Sequence, residues 1–242
     1  MPGVLEIRNL RKAFGGVVAL SGVDLTAGID EILGIVGPNG SGKTTLFNVV
    51  TGVLKPSGGT VVWQGEDITG RPPHAIARMG IARSFQQAMS FPGLSVRENV
   101  LIGFEHGRIR RGAEHRRWRS PDEILSFVGL DGRHGETAGA LPFGDLRRLG
   151  IAIAVATEPA LLLLDEPAAG LSDRETEELA KLIERFPTMG MGVCLIDHDM
   201  QLMASICRRL VVLDFGAKIA EGPPDQVLHD PKVIEVYLGS EL

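Results

Sequence analysis

The chain has little of what would place it in several large protein classes. Cysteine occurs only twice in 242 residues, so no disulfide framework organises the fold. Cys194 and Cys207 both sit in apolar stretches and read as free buried thiols of a reducing compartment. Positive charge is not in surplus: the net charge is −5 and the isoelectric point about 5.7, which argues against a nucleic-acid partner. No uninterrupted apolar run approaches the ~20 residues of a membrane-spanning helix. The longest candidate, around Ile151 to Leu164, is broken by Thr157-Glu158-Pro159. The N-terminal MPGVLEIRNLRKAF has no charged-then-apolar signal pattern. Internal repeats and low-complexity segments are also missing. Work at a membrane would therefore pass through a partner.

What is present is a large apolar fraction, 44%, enough for a sizeable core in one large domain or a domain with a subdomain. The most informative stretch is Gly37 to Thr45, GPNGSGKTT, which fits G-x-x-x-x-G-K-[ST] with Gly37, Gly42, Lys43 and Thr44 at the fixed places. Such a loop wraps phosphates with backbone N–H groups, and glycine is needed where a side chain would block the approach. Lys43 supplies positive charge for the β- and γ-phosphates and Thr44 a hydroxyl for Mg²⁺. The flanks agree. Glu31 to Val36 is an apolar run of strand length, and Thr45 to Val50 reads as a helix whose N-terminus faces the phosphate.

Elsewhere strands and helices alternate. Val4 to Arg8 alternates like a strand, Phe14-Gly15-Gly16 is a turn, and Val17 to Leu20 resumes an extended run. From position alone Phe14 reads as core, a platform for a base being the alternative. Lys55 to Gly59 is a loop, Thr60 to Trp63 a strand, Gly65 to Asp67 a turn, and Pro72 to Gly80 a short helix. Ile81 to Gln87 is extended. Ser95-Val96-Arg97-Glu98 and Ser120-Pro121-Asp122-Glu123 are capping boxes that open helices, the second ending near Gly129. Between them Arg108 to Arg119 holds six arginines, which read as a solvated helix face; a surface for lipid headgroups or an acidic partner is the alternative. Leu141-Pro142-Phe143-Gly144-Asp145 opens a helix over Leu146 to Ala156. Leu161 to Leu164 reads as a parallel strand buried on both faces, and Val193 to Ile196 as another. Ser172 to Glu175 caps a helix that ends at Phe186-Pro187. Leu210 to Phe215 and Lys218 to Glu221 form a strand pair, and Gln226 onward and Val233 to Leu238 are helical. The pattern is an α/β fold with a mainly parallel sheet and an all-helical insert near residues 87–157.

Ligands gather at the carboxyl ends of strands in such a sheet. One strand feeds the phosphate loop, a second ends in Asp165-Glu166, and a third ends in Asp197-His198. Adjacent residues of an extended chain point opposite ways, so Asp165 can face Mg²⁺ while Glu166 faces an attacking water. His198, at a strand terminus, reads as reaching the γ-phosphate, a structural histidine being the alternative, and Gln86, at the end of another extended run, as sensing Mg²⁺ or the γ-phosphate.

Taken in order, GPNGSGKTT, Gln86, LPFGD with LRRLGIAIA, LLLLDEP and His198 resemble the nucleotide-binding subunit of an ABC transporter over nearly the whole chain. FGGVVAL, GPNGSGKTTLFNVVTG, IARMGIARSFQ, LLLLDEPAAGL, IDHDM and DPKVIEVYLG are similar to the branched-chain amino acid uptake group. The resemblance implies a P-loop NTPase core over residues 1–86 and 158–242, with an antiparallel β portion and an inserted helical subdomain over 87–157. It implies that Phe14 stacks on adenine, which reverses the core reading. Gly37, Asn39, Gly40, Ser41, Gly42, Lys43, Thr44 and Thr45 would bind phosphate, and Gln86 would link Mg²⁺ to the membrane partner. Thr44, Gln86 and Asp165 would serve the metal. Glu166 would be the catalytic base, with Lys43 and His198 assisting, and Ala169 to Ser172 would cross a dimer interface. Phe143, Gly144 and Asp145 would meet ATP held by the opposite subunit.

The signature segment departs from the superfamily's LSGGQ. Pro142 lacks both a hydroxyl and an N–H donor, Ile153 stands where arginine is usual, and Asp197 replaces a glutamate. The implied partners are a second ATPase subunit, identical or not, two membrane permease subunits and an external binding protein, with no nucleic acid. The implied place is the cytoplasmic face of the membrane, peripherally held. A P-loop kinase, a non-transport ABC ATPase and the ATPase of a lipid or glycolipid exporter are the competing readings.

Overall fold

Two sequence patterns give two kinds of sheet. Runs with one buried face form an antiparallel sheet, and continuous apolar runs buried on both faces form a parallel one. The computed structural model describes residues 4–84, 90–111 and 117–238, and the side chains within these except at 108–111 and 238. In chain order the elements are β1 (Val4–Phe14), β2 (Val17–Gly28), β3 (Ile32–Val36), α1 (Lys43–Val50), β4 (Gly58–Trp63), β5 (Glu66–Asp67), α2 (Pro73–Arg78) and β6 (Ile81–Ser84). There follow α3 (Val96–Arg111), α4 (Pro121–Phe127), α5 (Phe143–Ala156), β7 (Leu161–Asp165), α6 (Asp173–Ile183), α7 (Arg185–Thr188) and β8 (Gly192–Ile196). The chain closes with α8 (Met200–Ile206), β9 (Arg209–Asp214), β10 (Ala217–Gly222), α9 (Pro224–Leu228) and α10 (Pro231–Leu238).

The antiparallel sheet has the order β2-β1-β4-β5 and the larger sheet the order β10-β9-β3-β8-β7-β6. In the larger sheet all neighbours from β9 to β6 are parallel, and β10 is an antiparallel edge. Every residue of β3, β7 and β8 is buried. Period-two alternation sends Ile32, Leu162, Leu164, Val193 and Leu195 to one face, against helices α5 to α8. Leu33, Ile35, Leu161, Leu163, Cys194 and Ile196 go to the other face, against α1 and the antiparallel sheet. The parallel sheet is therefore the middle layer of a three-layer stack. Both cysteines are free and buried, as the sequence predicts, and burial pushes each thiol up to about 12.

Local signals fix most helix starts. Ser95 and Glu98 bond reciprocally at the head of α3, and Ser172 and Glu175 do so at α6. At α4 the predicted box closes on one side only. Ser120 Oγ accepts the Glu123 N–H, while the Glu123 carboxylate accepts the N–H of Arg119 instead. Several boundaries differ from expectation: β1 and β2 run on to Phe14 and Gly28, and α1 and β4 start two residues early, at Lys43 and Gly58. Glu66–Asp67 is not turn but a short strand registered on Val62 and Trp63. Helix α5 begins at Phe143, not Leu146, so Phe143-Gly144-Asp145 is its first turn.

Between β6 and β7 the regular elements of the described chain are all helices. The arginine-rich stretch lies largely outside the described side chains, but its end is not a solvated face. Trp118 is buried edge-on against Phe127, and the buried carboxylate of Glu158 accepts the backbone N–H groups of Arg117 and Trp118.

Candidate functional site

The strand order β3-β8-β7 sets three carboxyl ends side by side: Val36 leading into Gly37, Ile196 into Asp197 and His198, and Asp165 into Glu166. The loop after β3 depends on glycine at two places. Gly37 has φ 147° and a Cβ there would lie 2.0 Å from the Leu213 carbonyl oxygen; Gly42 has φ 104° and its Cβ would lie 2.5 Å from that of Ala19. The loop is braced from outside by the β9–β10 turn, where the Gly216 N–H donates to Ser41 O at 3.0 Å. Burial raises the pKa of the Tyr237 phenol, on α10, while a hydrogen bond from the Gly37 backbone pulls it back.

A cleft of about 160 Å³ is lined by Ala19, Asn39, Gly40, Gly42, Lys43, Thr44, Thr45 and Glu166. Lys43 starts α1 and folds back, donating from Nζ to Gly37 O at 2.7 Å and Pro38 O at 2.8 Å. Burial lowers its pKa, and Glu166 and Asp165 oppose that shift. Ser41 Oγ is buried with no hydrogen-bond partner among the described residues. Glu166 adopts φ 48°, outside the usual range for a residue with a side chain, and its N–H donates to Ile196 O at 2.7 Å. This turn at the strand end brings Glu166 into the lining of the same cleft. An open glycine cradle and a primary ammonium form a donor set for a polyphosphate, and the Glu166 carboxylate adds an acceptor to the same cleft.

The metal expectation divides. Among the described residues no group of three or more His, Cys, Asp or Glu side chains could hold an ion alone. The Thr44 hydroxyl and the Asp165 carboxylate, whose charge acts on Lys43, are hard oxygen ligands of the kind that would suit a Mg²⁺ arriving with the phosphates. Thr44 lines the cleft. Asp165 does not line it; its Oδ2 accepts from Arg83 Nη2 at 2.5 Å, both side chains being almost fully buried. Gln86 lies outside the described residues.

The other predicted residues are placed as follows. Phe14 is 46% exposed, with Lys12 Nζ 4.8 Å from its ring centroid, so the core reading is corrected. Its position as the last residue of β1, just before a glycine turn, keeps it out of both cores. His198 is 71% exposed at its side chain and does not line the cleft. Phe143 is exposed at the tip of α5 beneath the Arg147 guanidinium. Gly144 is buried, and Asp145 pairs with Arg133 at 3.0 Å. None of these α5 residues lines the cleft of its own chain.

Arg147 and Arg83 escaped the sequence reading, and Asp197 entered it only as standing where a glutamate is usual. Asp197 is buried; its Oδ1 accepts the N–H groups of His198 and Asp199, and its Oδ2 that of Ala168. It thereby ties the loop after β8 to the loop after β7. Burial raises its pKa against those bonds. Arg147 on α5 has its pKa lowered by burial and sustained by Glu166 and Asp197. Arg83 holds Asp165. The one available signal was a charged residue inside the apolar run Ile81 to Ser84; its partner depends on sheet register, which no local pattern reveals.

The profile of the ABC transporter family matches residues 20–169, and that of the branched-chain amino acid ATP-binding cassette transporters matches residues 217–242. The chain is 40% identical, over 98% of both sequences, to the high-affinity branched-chain amino acid transport ATP-binding protein BraF of Pseudomonas aeruginosa. It is 36% identical, again over 98% of both, to the lipopolysaccharide export system ATP-binding protein LptB of Haemophilus influenzae. The crystal structure of an ATP-binding cassette of an ABC transporter in its ADP conformation superposes with a TM-score of 0.86 at 30% identity, covering 99% of this chain and 100% of that one. Profile, full-length identity and the cleft built on Lys43 and Glu166 agree: the chain belongs to the ABC transporter family, as an ATP-binding subunit of the kind that hydrolyses ATP.

Proposed function

We propose that two ATPase subunits, at least one of them this chain, close head to tail on ATP, hydrolyse it, and so drive uptake of branched-chain or related amino acids through two membrane permease subunits served by an external binding protein. The observation that carries the reading is the cleft in which Lys43 and Thr44 of the phosphate loop face Glu166 of the neighbouring strand end. Lys43 exchanges the carbonyls of Gly37 and Pro38 for phosphate oxygens. Glu166 orients a water and accepts its proton. Thr44, Asp165 and Gln86 are the groups that would hold Mg²⁺, which when bound neutralises charge on the phosphates.

The α5 tip, Phe143 to Asp145, does not line the cleft of its own chain and Phe143 is exposed there, which favours a role toward ATP on the opposite subunit across a C₂ interface. Pro142 leaves the first N–H groups of α5 without a side-chain cap, open to an anion. His198 and Phe14, both exposed, would engage γ-phosphate and adenine only as the pair closes. Binding favours the closed pair and cleavage releases it. Residues 87–157, as a helical subdomain, would pass the motion to the permeases, with attachment at the cytoplasmic membrane face; no described helix is long and apolar enough to cross a membrane.

The test is Glu166→Gln. The variant should bind ATP, pair stably in gel filtration, and lose about 10²–10⁴-fold in turnover; wild-type turnover would remove Glu166 from the base role. Export of a lipid is the second reading, favoured by the likeness to LptB. The 217–242 match weighs toward amino acids. Co-purifying the permeases and identifying the ligand of the external binding protein separates the two.

A further inference from the structure

Arg83 and Asp165 lie on neighbouring parallel strands, β6 and β7. Arg83 is in register with Leu163, and Asp165 two residues on shares that residue's face. The guanidinium Nη2 is 2.5 Å from Asp165 Oδ2, with the two side chains only 6% and 3% exposed. Its Nη1 donates to Asn48 Oδ1 on α1 at 2.7 Å, and its centre lies 5.6 Å from the Phe47 ring centroid. One cation thus ties together β6, β7 and the helix that begins with Lys43 and Thr44. A carboxylate this deeply buried needs a fixed counter-charge, and here a guanidinium provides it. Asp165 is also the carboxylate that the sequence assigns to Mg²⁺.

We propose that Arg83 is a positioning residue of the metal site: it competes with Mg²⁺ for the Asp165 carboxylate, so that an ion arriving with nucleotide loosens the tie between β6, β7 and α1. The inference rests on the nucleotide-binding reading above. Two cations on one carboxylate repel, and whatever the guanidinium takes from the ion's affinity, the ion takes from the guanidinium's hold. Asn48 is a neutral hydrogen-bond partner that keeps the loosened guanidinium on α1.

The experiment measures fluorescent ADP binding to the full chain in EDTA and in Mg²⁺, for wild type, Arg83→Gln and Arg83→Lys. The ratio of the two affinities reports the metal term alone. It should rise on the order of tenfold in Arg83→Gln and less in Arg83→Lys, which keeps the charge but loses the fork. A ratio that is unchanged or lower in Arg83→Gln overturns the proposal. Because Arg83→Gln leaves Asp165 buried without its cation and can fail to fold, the wild-type chain is also read directly. With labelled arginine, assigned through Arg83→Lys, the Arg83 guanidinium resonance should shift when Mg²⁺ is added to the ADP-bound protein. A resonance indifferent to Mg²⁺ overturns the proposal. Wild-type protein that binds no ADP in either buffer overturns the nucleotide reading itself, and this inference with it.

Discussion

Replacing Lys43 with alanine tests the phosphate loop most directly, because the structure shows what its ammonium is bonded to. Its Nζ already makes two hydrogen bonds, to the carbonyls of Gly37 and Pro38. Nucleotide gains only the difference between those bonds and the ones to phosphate. Hydrogen bonds involving a charged group contribute roughly 1.5–3 kcal/mol each on either side of the exchange and largely cancel. What survives is the attraction between unlike charges, about 4 kcal/mol per pair at 4 Å in a partly buried site. Half-burial of the ammonium, which lowers its pKa, takes back part of that. A net loss of about 2–3 kcal/mol in Lys43→Ala follows, or roughly 30- to 150-fold in ADP affinity by calorimetric titration. A parallel melting curve checks that the fold survives. Affinity reduced less than about threefold, with the fold intact, would refute the assignment of Lys43 to the phosphates.

Other consequences are open to measurement. Trp63→Phe removes the Nε1 bond to the Met79 carbonyl from a site where the ring is 1% exposed, so it should destabilise by about 1–3 kcal/mol in urea unfolding; no change would mean that water replaces the bond. Glu158→Ala strips the acceptor from two backbone N–H groups beside Trp118. A cost of about 2 kcal/mol, or roughly 4–8 °C in melting temperature, is expected, and an unaltered melt would show that the segment is anchored otherwise. Cys194 and Cys207, pushed up to about 12 from an ordinary 9.0, should react with a thiol reagent at pH 8 only as fast as the protein opens. Between those values the unfolded chain releases the protons first, so these thiols make stability fall as pH rises from about 9 toward 12, visible as a shift in the urea midpoint. Rapid labelling of native protein would contradict their burial.

Much of this molecule is written locally. The phosphate loop between Val36 and Lys43, the fully buried strands β3, β7 and β8, and the boxes at Ser95 and Ser172 all follow from residues within a few positions of one another. Hydrogen bonds of three- or four-residue reach and the two-residue period of a strand suffice to specify them. The half-formed box at Ser120 marks the limit, since Arg119 took the glutamate that Ser120 was expected to use. Phe14 marks another: apolarity alone does not say which side of a strand end is covered, and the ring is exposed.

What tertiary structure alone decided is which strand lies beside which. The order β3-β8-β7 carries Glu166 to the loop of Lys43. The register of β6 on β7 carries Arg83 to Asp165 across 82 residues of sequence, and the loops after β7 and β8 meet through Asp197 and Ala168. Nothing in those residues' own neighbourhoods encodes the meeting, because parallel pairing is set by the burial of whole strands and the helices that cross between them. The sequence thus specified the glycine loop and the strands that flank it, and the packing of the sheet specified the charges around them.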